Sequence, residues 1–143
     1  MGSTSTPGVR NAASAVVGDE RAVRAVVDAV SGAWADNDAT AFVDHYAEDA
    51  TAILPGFALR NRVDIRTNMA KAFAAQLKGS RRIHQVQSVR FPGDATAIVI
   101  SRSSTVFPRE TEPAADRWSL ATWVLSQHSG RWLIEAYHDC PAA

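Results

Sequence analysis

The sequence predicts an α+β fold, with helices gathered on one face of a curved, mainly antiparallel sheet. Three observations carry this. Before Gly79, apolar residues recur at helical spacing. After it come four long segments rich in β-branched and aromatic residues, separated by turn formers. Between the two regimes, residues 46–55 (Tyr-Ala-Glu-Asp-Ala-Thr-Ala-Ile-Leu-Pro) are where a helical pattern stops and an extended one begins, so this stretch fixes how helices meet sheet.

Residues 1–18 are rich in Ser, Thr, Ala and Gly, lack a sustained period and carry Pro7-Gly8. Such a segment cannot offset its ordering entropy by burial, which predicts a disordered tail ahead of one domain over residues 19–143. From Asp19, read as an N-cap, Val23, Val26, Val27, Val30 and Trp34 form one buried stripe of a first helix. Asp36-Asn37-Asp38 breaks it, and Asp38 caps a second, shorter helix whose Phe42, Val43 and Tyr46 share a face. Residues 50–54 read as a short strand stopped by Pro55-Gly56, and residues 57–60 as a second extended piece. Asn61, with Asp64 at the third helical position, starts a third helix in which Ile65, Met69, Phe73 and Leu77 repeat every four residues up to Gly79. Its Arg62, Arg66, Lys71 and Lys78 read as solvated charge. Four strands follow, over residues 83–91, 96–107, 117–127 and 132–138.

A chain of 143 residues with 46% apolar and 21% charged residues fits one globular domain. Fifteen basic residues balance fifteen acidic ones, which removes the general attraction that nucleic acid or an anionic membrane would need. The single cysteine, Cys140, cannot form an internal disulfide, and no apolar run approaches the roughly 20 residues that span a bilayer, so a cytoplasmic setting is expected. On the third long strand Ser119, Ala121, Trp123 and Leu125 share one face, while Trp118, Leu120, Thr122 and Val124 share the other. Both faces are apolar, which predicts a homodimer through the sheet.

With these elements and the Tyr-Ala-Glu-Asp-Ala-Thr run in place, residues 19–141 resemble the nuclear transport factor 2-like superfamily. This is the cone-shaped fold, or cystatin-like roll, shared by ketosteroid isomerases and SnoaL-like polyketide cyclases. Residues 46–55, 61–73 and 130–138 (Gly-Arg-Trp-Leu-Ile-Glu-Ala-Tyr-His) look like its SgcJ/EcaC-type branch, members of which occur in enediyne polyketide gene clusters. The resemblance implies three helices on the concave face of the sheet and a ligand inside the cone. Set against the isomerases, their base falls at Leu54, their tyrosine at Val30 and their second acid at Ala121. None of these can exchange a proton, so ketosteroid isomerisation is disfavoured. The same comparison turns Trp123 and His138 into the cone.

His138 is the leading candidate acid or base, since imidazole titrates near neutral pH. His84, on the first long strand, is a second; its face is open because Ile83, Val86 and Val89 do not alternate strictly. Tyr46 offers a hydroxyl, although its helical spacing with Phe42 also fits a core role. The expected ligand-binding set is Trp34, Leu54, Met69 and Phe73 on the helical side, with Ser119, Ala121 and Trp123 on the sheet. His45, His84 and His128 have no metal-ligand spacing, and neither a phosphate loop nor a dinucleotide fingerprint is present, so neither metal nor cofactor is expected. Two readings follow. One is a cofactor-independent pocket protein of enediyne-type polyketide metabolism, binding or converting a hydrophobic polyene intermediate as a SnoaL-like cyclase, isomerase or hydrolase-type enzyme. The other is a non-catalytic ligand-binding or accessory module acting with a polyketide synthase.

Overall fold

The computed structural model describes residues 12–142. In chain order the elements are α1 (Ala12–Ala35), α2 (Ala39–Phe42), β1 (Tyr46–Leu54), β2 (Phe57–Leu59), α3 (Arg62–Phe73), β3 (Arg81–Gly93), β4 (Thr96–Val106), β5 (Ser119–His128) and β6 (Arg131–Pro141). The six strands form one curved sheet in the order β2-β1-β6-β5-β4-β3, antiparallel throughout except between β1 and β6. Helices α1 and α3 lay their apolar stripes on its inner face, where Val23, Val27, Val30, Ile65 and Met69 join Val99, Trp123, Leu125 and Ile134 in one core. The expected α+β cone is therefore the fold.

Local chemistry explains most boundaries. Asp38 caps α2 by accepting the Ala41 N–H at 3.0 Å, and Asn61 caps α3 by accepting the Asp64 N–H at 2.8 Å. Asp64 in turn accepts the N–H of Arg60, the residue before the cap, at 3.0 Å, so its side chain ties the incoming chain to the first turn. Gly79 has φ +78°, and a Cβ there would sit 3.0 Å from the Pro108 ring, so glycine is required where the chain leaves the helical layer for β3.

Three boundaries differ most from the sequence expectation. Helix α1 starts at Ala12, so residues 12–18 extend the helix and Asp19 is not its cap; the Ala-Ala-Ser-Ala start has high helix propensity. Residues 1–11 of the expected tail lie outside the described residues. Tyr46 belongs to a strand, pairing with Ile134, while its ring still stacks on Phe42 with centroids 5.7 Å apart. Helix α3 closes at Phe73, and Leu77 is held by a turn in which its N–H donates to the Ala72 carbonyl at 2.8 Å.

Two β-bulges decide which side chains face inward. On β3, Val86 pairs with Ser101 and Ser88 with Ile100, leaving Gln87 unpaired. On β6, Ala136 pairs with Val124 and Ile134 with Leu125, leaving Glu135 unpaired. Each extra residue reverses the alternation beyond it. After Glu135, Tyr137 and Asp139 are the buried residues and His138 is exposed. No helix among the described residues is long and apolar enough to cross a membrane.

Candidate functional site

Between the helical layer and the sheet lies a cavity of about 320 Å³. Most of its wall is apolar: Val30, Trp34 and Phe42 from α1 and α2, Leu54 and Leu59 from the β1–β2 hairpin, and Met69 from α3. Pro55, Phe57 and Gln76 also line it and are exposed, which places its mouth between that hairpin and the end of α3. The polar groups converge at the sheet end, where Arg82, His84, Tyr137 and Asp139 meet.

The register makes this convergence. Arg82 and His84 lie two apart on β3, opposite Thr105 and Ser103 of β4. Arg82 donates to Thr105 Oγ1 at 2.8 Å through Nη1 and to Asp139 Oδ2 at 3.3 Å through Nη2. Its guanidinium also lies 5.6 Å from the Trp34 ring centroid. Tyr137 donates its hydroxyl proton to the same Asp139 oxygen at 2.8 Å. The two charged side chains are only 12% and 7% exposed, so each depends on the other: either one alone would be an uncompensated buried charge.

His84 sits edge-on to Trp123, with centroids 4.7 Å apart, and its Nδ1 lies 2.7 Å from Ser103 Oγ. Burial, followed by the neighbouring Arg82 cation, pulls its pKa down to about 3, so the ring is neutral at physiological pH. Burial pushes the Tyr137 phenol up, so it too keeps its proton. Taken together the polar end carries no net charge: one cation, one anion and two neutral groups. Such an end can donate and accept hydrogen bonds beside a wall that is mostly apolar.

Among the residues expected at the site, His84, Trp34, Leu54, Met69, Ser119 and Trp123 line the cavity. Phe73 and Ala121 do not; both are buried in the core beside it. Tyr46 is 2% exposed and packed in the core, and it lies apart from the cavity wall. His138 was expected to point into the cone and does not: it is exposed on the opposite face, because the bulge at Glu135 shifts β6 by one residue. The inward places go to Tyr137 and Asp139. These two residues and Arg82 were missed by the sequence reading. A usable signal for the polar end was the run Ser101, Ser103, Ser104 and Thr105, hydroxyl residues at buried places of an otherwise apolar strand. Among the described residues, no three His, Cys, Asp or Glu side chains form a group able to hold a metal ion.

An α+β cone with a largely apolar cavity between helices and sheet defines the class: a protein of the nuclear transport factor 2-like, cystatin-like type. Residues 15–138 match the SnoaL-like domain, and the chain belongs to that family. A domain of unknown function with a cystatin-like fold from Nostoc punctiforme is similar over 88% of this chain and 78% of its own, at 28% identity and a TM-score of 0.82. A putative scytalone dehydratase from Novosphingobium aromaticivorans is similar over 92% and 89%, at 13% identity and a TM-score of 0.74. A nuclear transport factor 2-like protein from the same organism matches over 89% and 84%, at 16% identity and a TM-score of 0.74. The last two likenesses concern the fold alone. No curated protein matches the chain.

Proposed function

We propose that the protein binds a hydrophobic small molecule in the cone, its oxygen-bearing end held by Arg82, His84, Tyr137 and Asp139, without a cofactor. The observation that carries this is the union of a largely apolar cavity of about 320 Å³ with a hydrogen-bonded, charge-balanced polar end. The finer reading is a polyene or enediyne-type polyketide intermediate, taken up in the cytoplasm from a synthase. Membership of the SnoaL-like family supports this direction, since that domain suggests a small-molecule-binding or polyketide-cyclase-type protein.

The outer face of the sheet, with Leu120 44% and Ile53 45% exposed, supports a homodimer through that face. Light scattering at micromolar concentration is the check, and a monomer would remove the dimer.

A non-catalytic role as binding or accessory module is favoured by one observation. A histidine held at a pKa of about 3 is far from the neutral range in which general acid–base catalysis works best. Co-expression with a polyketide synthase, with wild type, His84→Gln or no added protein, separates the readings. A product pattern that changes with wild type and not with His84→Gln supports catalysis at His84. A change produced equally by both proteins supports the accessory role. An unchanged pattern in every arm removes the polyketide reading.

A further inference from the structure

Behind His84 runs a chain of three side chains: Trp123 Nε1 lies 2.9 Å from Ser101 Oγ, Ser101 Oγ 2.9 Å from Ser103 Oγ, and Ser103 Oγ 2.7 Å from His84 Nδ1. Ser101, Ser103 and Trp123 have no exposed surface, so no bulk water completes this chain. Its first member sets its direction. An indole N–H can only donate, so Ser101 is an acceptor toward Trp123. The Ser101 proton then has one partner among the described residues, Ser103, and the Ser103 proton has one left, Nδ1 of His84. The opposite arrangement, with Nδ1–H donating to Ser103 and Ser103 to Ser101, would strand the Ser101 proton in the core. A buried unmade hydrogen bond of that kind costs about 1–3 kcal/mol.

We propose that Trp123, Ser101 and Ser103 act as a one-way relay that fixes His84 as the Nε2–H tautomer, so that the cone recognises its ligand through an uncharged oxygen acceptor such as a ketone or ester carbonyl. The three are positioning residues: they reach the ligand's polar group through His84. Nε2 has no protein partner among the described residues, and the ring lines the cavity, so its proton is the donor the ligand meets. The acceptor is uncharged because Arg82 already has its counter-ion in Asp139, with Tyr137 donating to the same carboxylate. A ligand carboxylate would be desolvated there without a free cation to receive it. A ligand with only a donor to offer would meet a proton, not an acceptor, at His84 Nε2.

This inference rests on the pocket reading above, and the test keeps the two apart. Long-range ¹⁵N–¹H correlation spectra of the ligand-free protein at neutral pH give the tautomer directly. The expected pattern is a pyridine-type Nδ1 and a pyrrole-type Nε2 for His84; the reverse overturns the relay. Trp123→Phe removes the donor that sets the direction and is expected to give a mixture of tautomers, whereas an unchanged pure tautomer would remove Trp123 from the relay. Binding is then measured for three probes of one shape: 2-acetonaphthone, 2-ethylnaphthalene and 2-naphthoate. The ketone is expected to bind about fivefold tighter than the hydrocarbon, the worth of one neutral hydrogen bond, and the carboxylate no tighter than the ketone. Equal binding of ketone and hydrocarbon, or tightest binding of the carboxylate, overturns this inference and leaves the pocket standing. Binding of none of the three overturns the pocket reading itself.

Discussion

Strands β5 and β6 lie side by side, both contribute to the cone, and they differ in one residue of register. On β5 the inward set Ser119, Ala121, Trp123 and Leu125 follows strict alternation from end to end. On β6 the inward set is Trp132 and Ile134 and then, past the unpaired Glu135, Tyr137 and Asp139. A face that obeys period two can be read from a list of residues. One that changes phase can be read only with its partner strand beside it. The bulge turns His138 outward and brings inward an aspartate that pairs with Arg82 and a tyrosine that donates to it.

The most direct way to break this contrast is to delete Glu135, restoring plain alternation to β6. Ile134, Ala136 and Tyr137 would then pair with Leu125, Val124 and Trp123 without a break, so Trp132, Ile134, Tyr137 and Asp139 all stay inward and the expected outcome is a retained cooperative thermal transition; its loss would show that the extra residue itself is needed. The largest loss of stability is expected from Asp139→Ala, which leaves Arg82 buried without a counter-ion and Tyr137 without its acceptor. A loss of about 3–5 kcal/mol is expected in urea denaturation. A third effect follows from the inward face of β3. The folded pKa of His84 lies at about 3 against an ordinary value of 6.5, so below pH 6.5 the unfolded chain binds a proton that the folded one refuses. Stability therefore falls as pH falls through this window, by up to about 1.4 kcal/mol per unit. His84→Gln should flatten the slope by that amount, and an unaltered slope would place the imidazole elsewhere. Smallest is His138→Ala, expected to change stability by less than about 0.5 kcal/mol and to leave 2-acetonaphthone affinity unchanged. A large loss of affinity would return His138 to the cone.

Helical periodicity and caps made the layer of helices legible: the stripe from Val23 to Trp34, and the Asp38 and Asn61 caps, all hold in the structure. The four long strands were legible because β-branched runs alternate with turn residues. Tyr46 was misplaced because its spacing from Phe42 suits a helix, and its ring does contact Phe42, but from a strand. The parallel pairing of β1 with β6 leaves no local trace in sequence, since its partners lie far apart in the chain. At the site, Trp34, Met69 and Trp123 were legible as apolar residues on known faces. Arg82 and Asp139 were not, because residues of this kind are normally solvated, and only the fold brings them within reach of each other.

The seam between β1 and β6 also bears on how the chain reaches this state. Strands β3 to β6 are joined as successive neighbours, each closing a modest loop onto the one before. β1 must instead find a strand from the far end of the chain, Tyr46 meeting Ile134, and this is the costliest loop closure in the sheet. Contacts of such long sequence separation slow folding. Mutations along the seam are therefore expected to act on the rate at which the cone closes, while those in the β3–β6 meander act on whether there is a sheet to close upon.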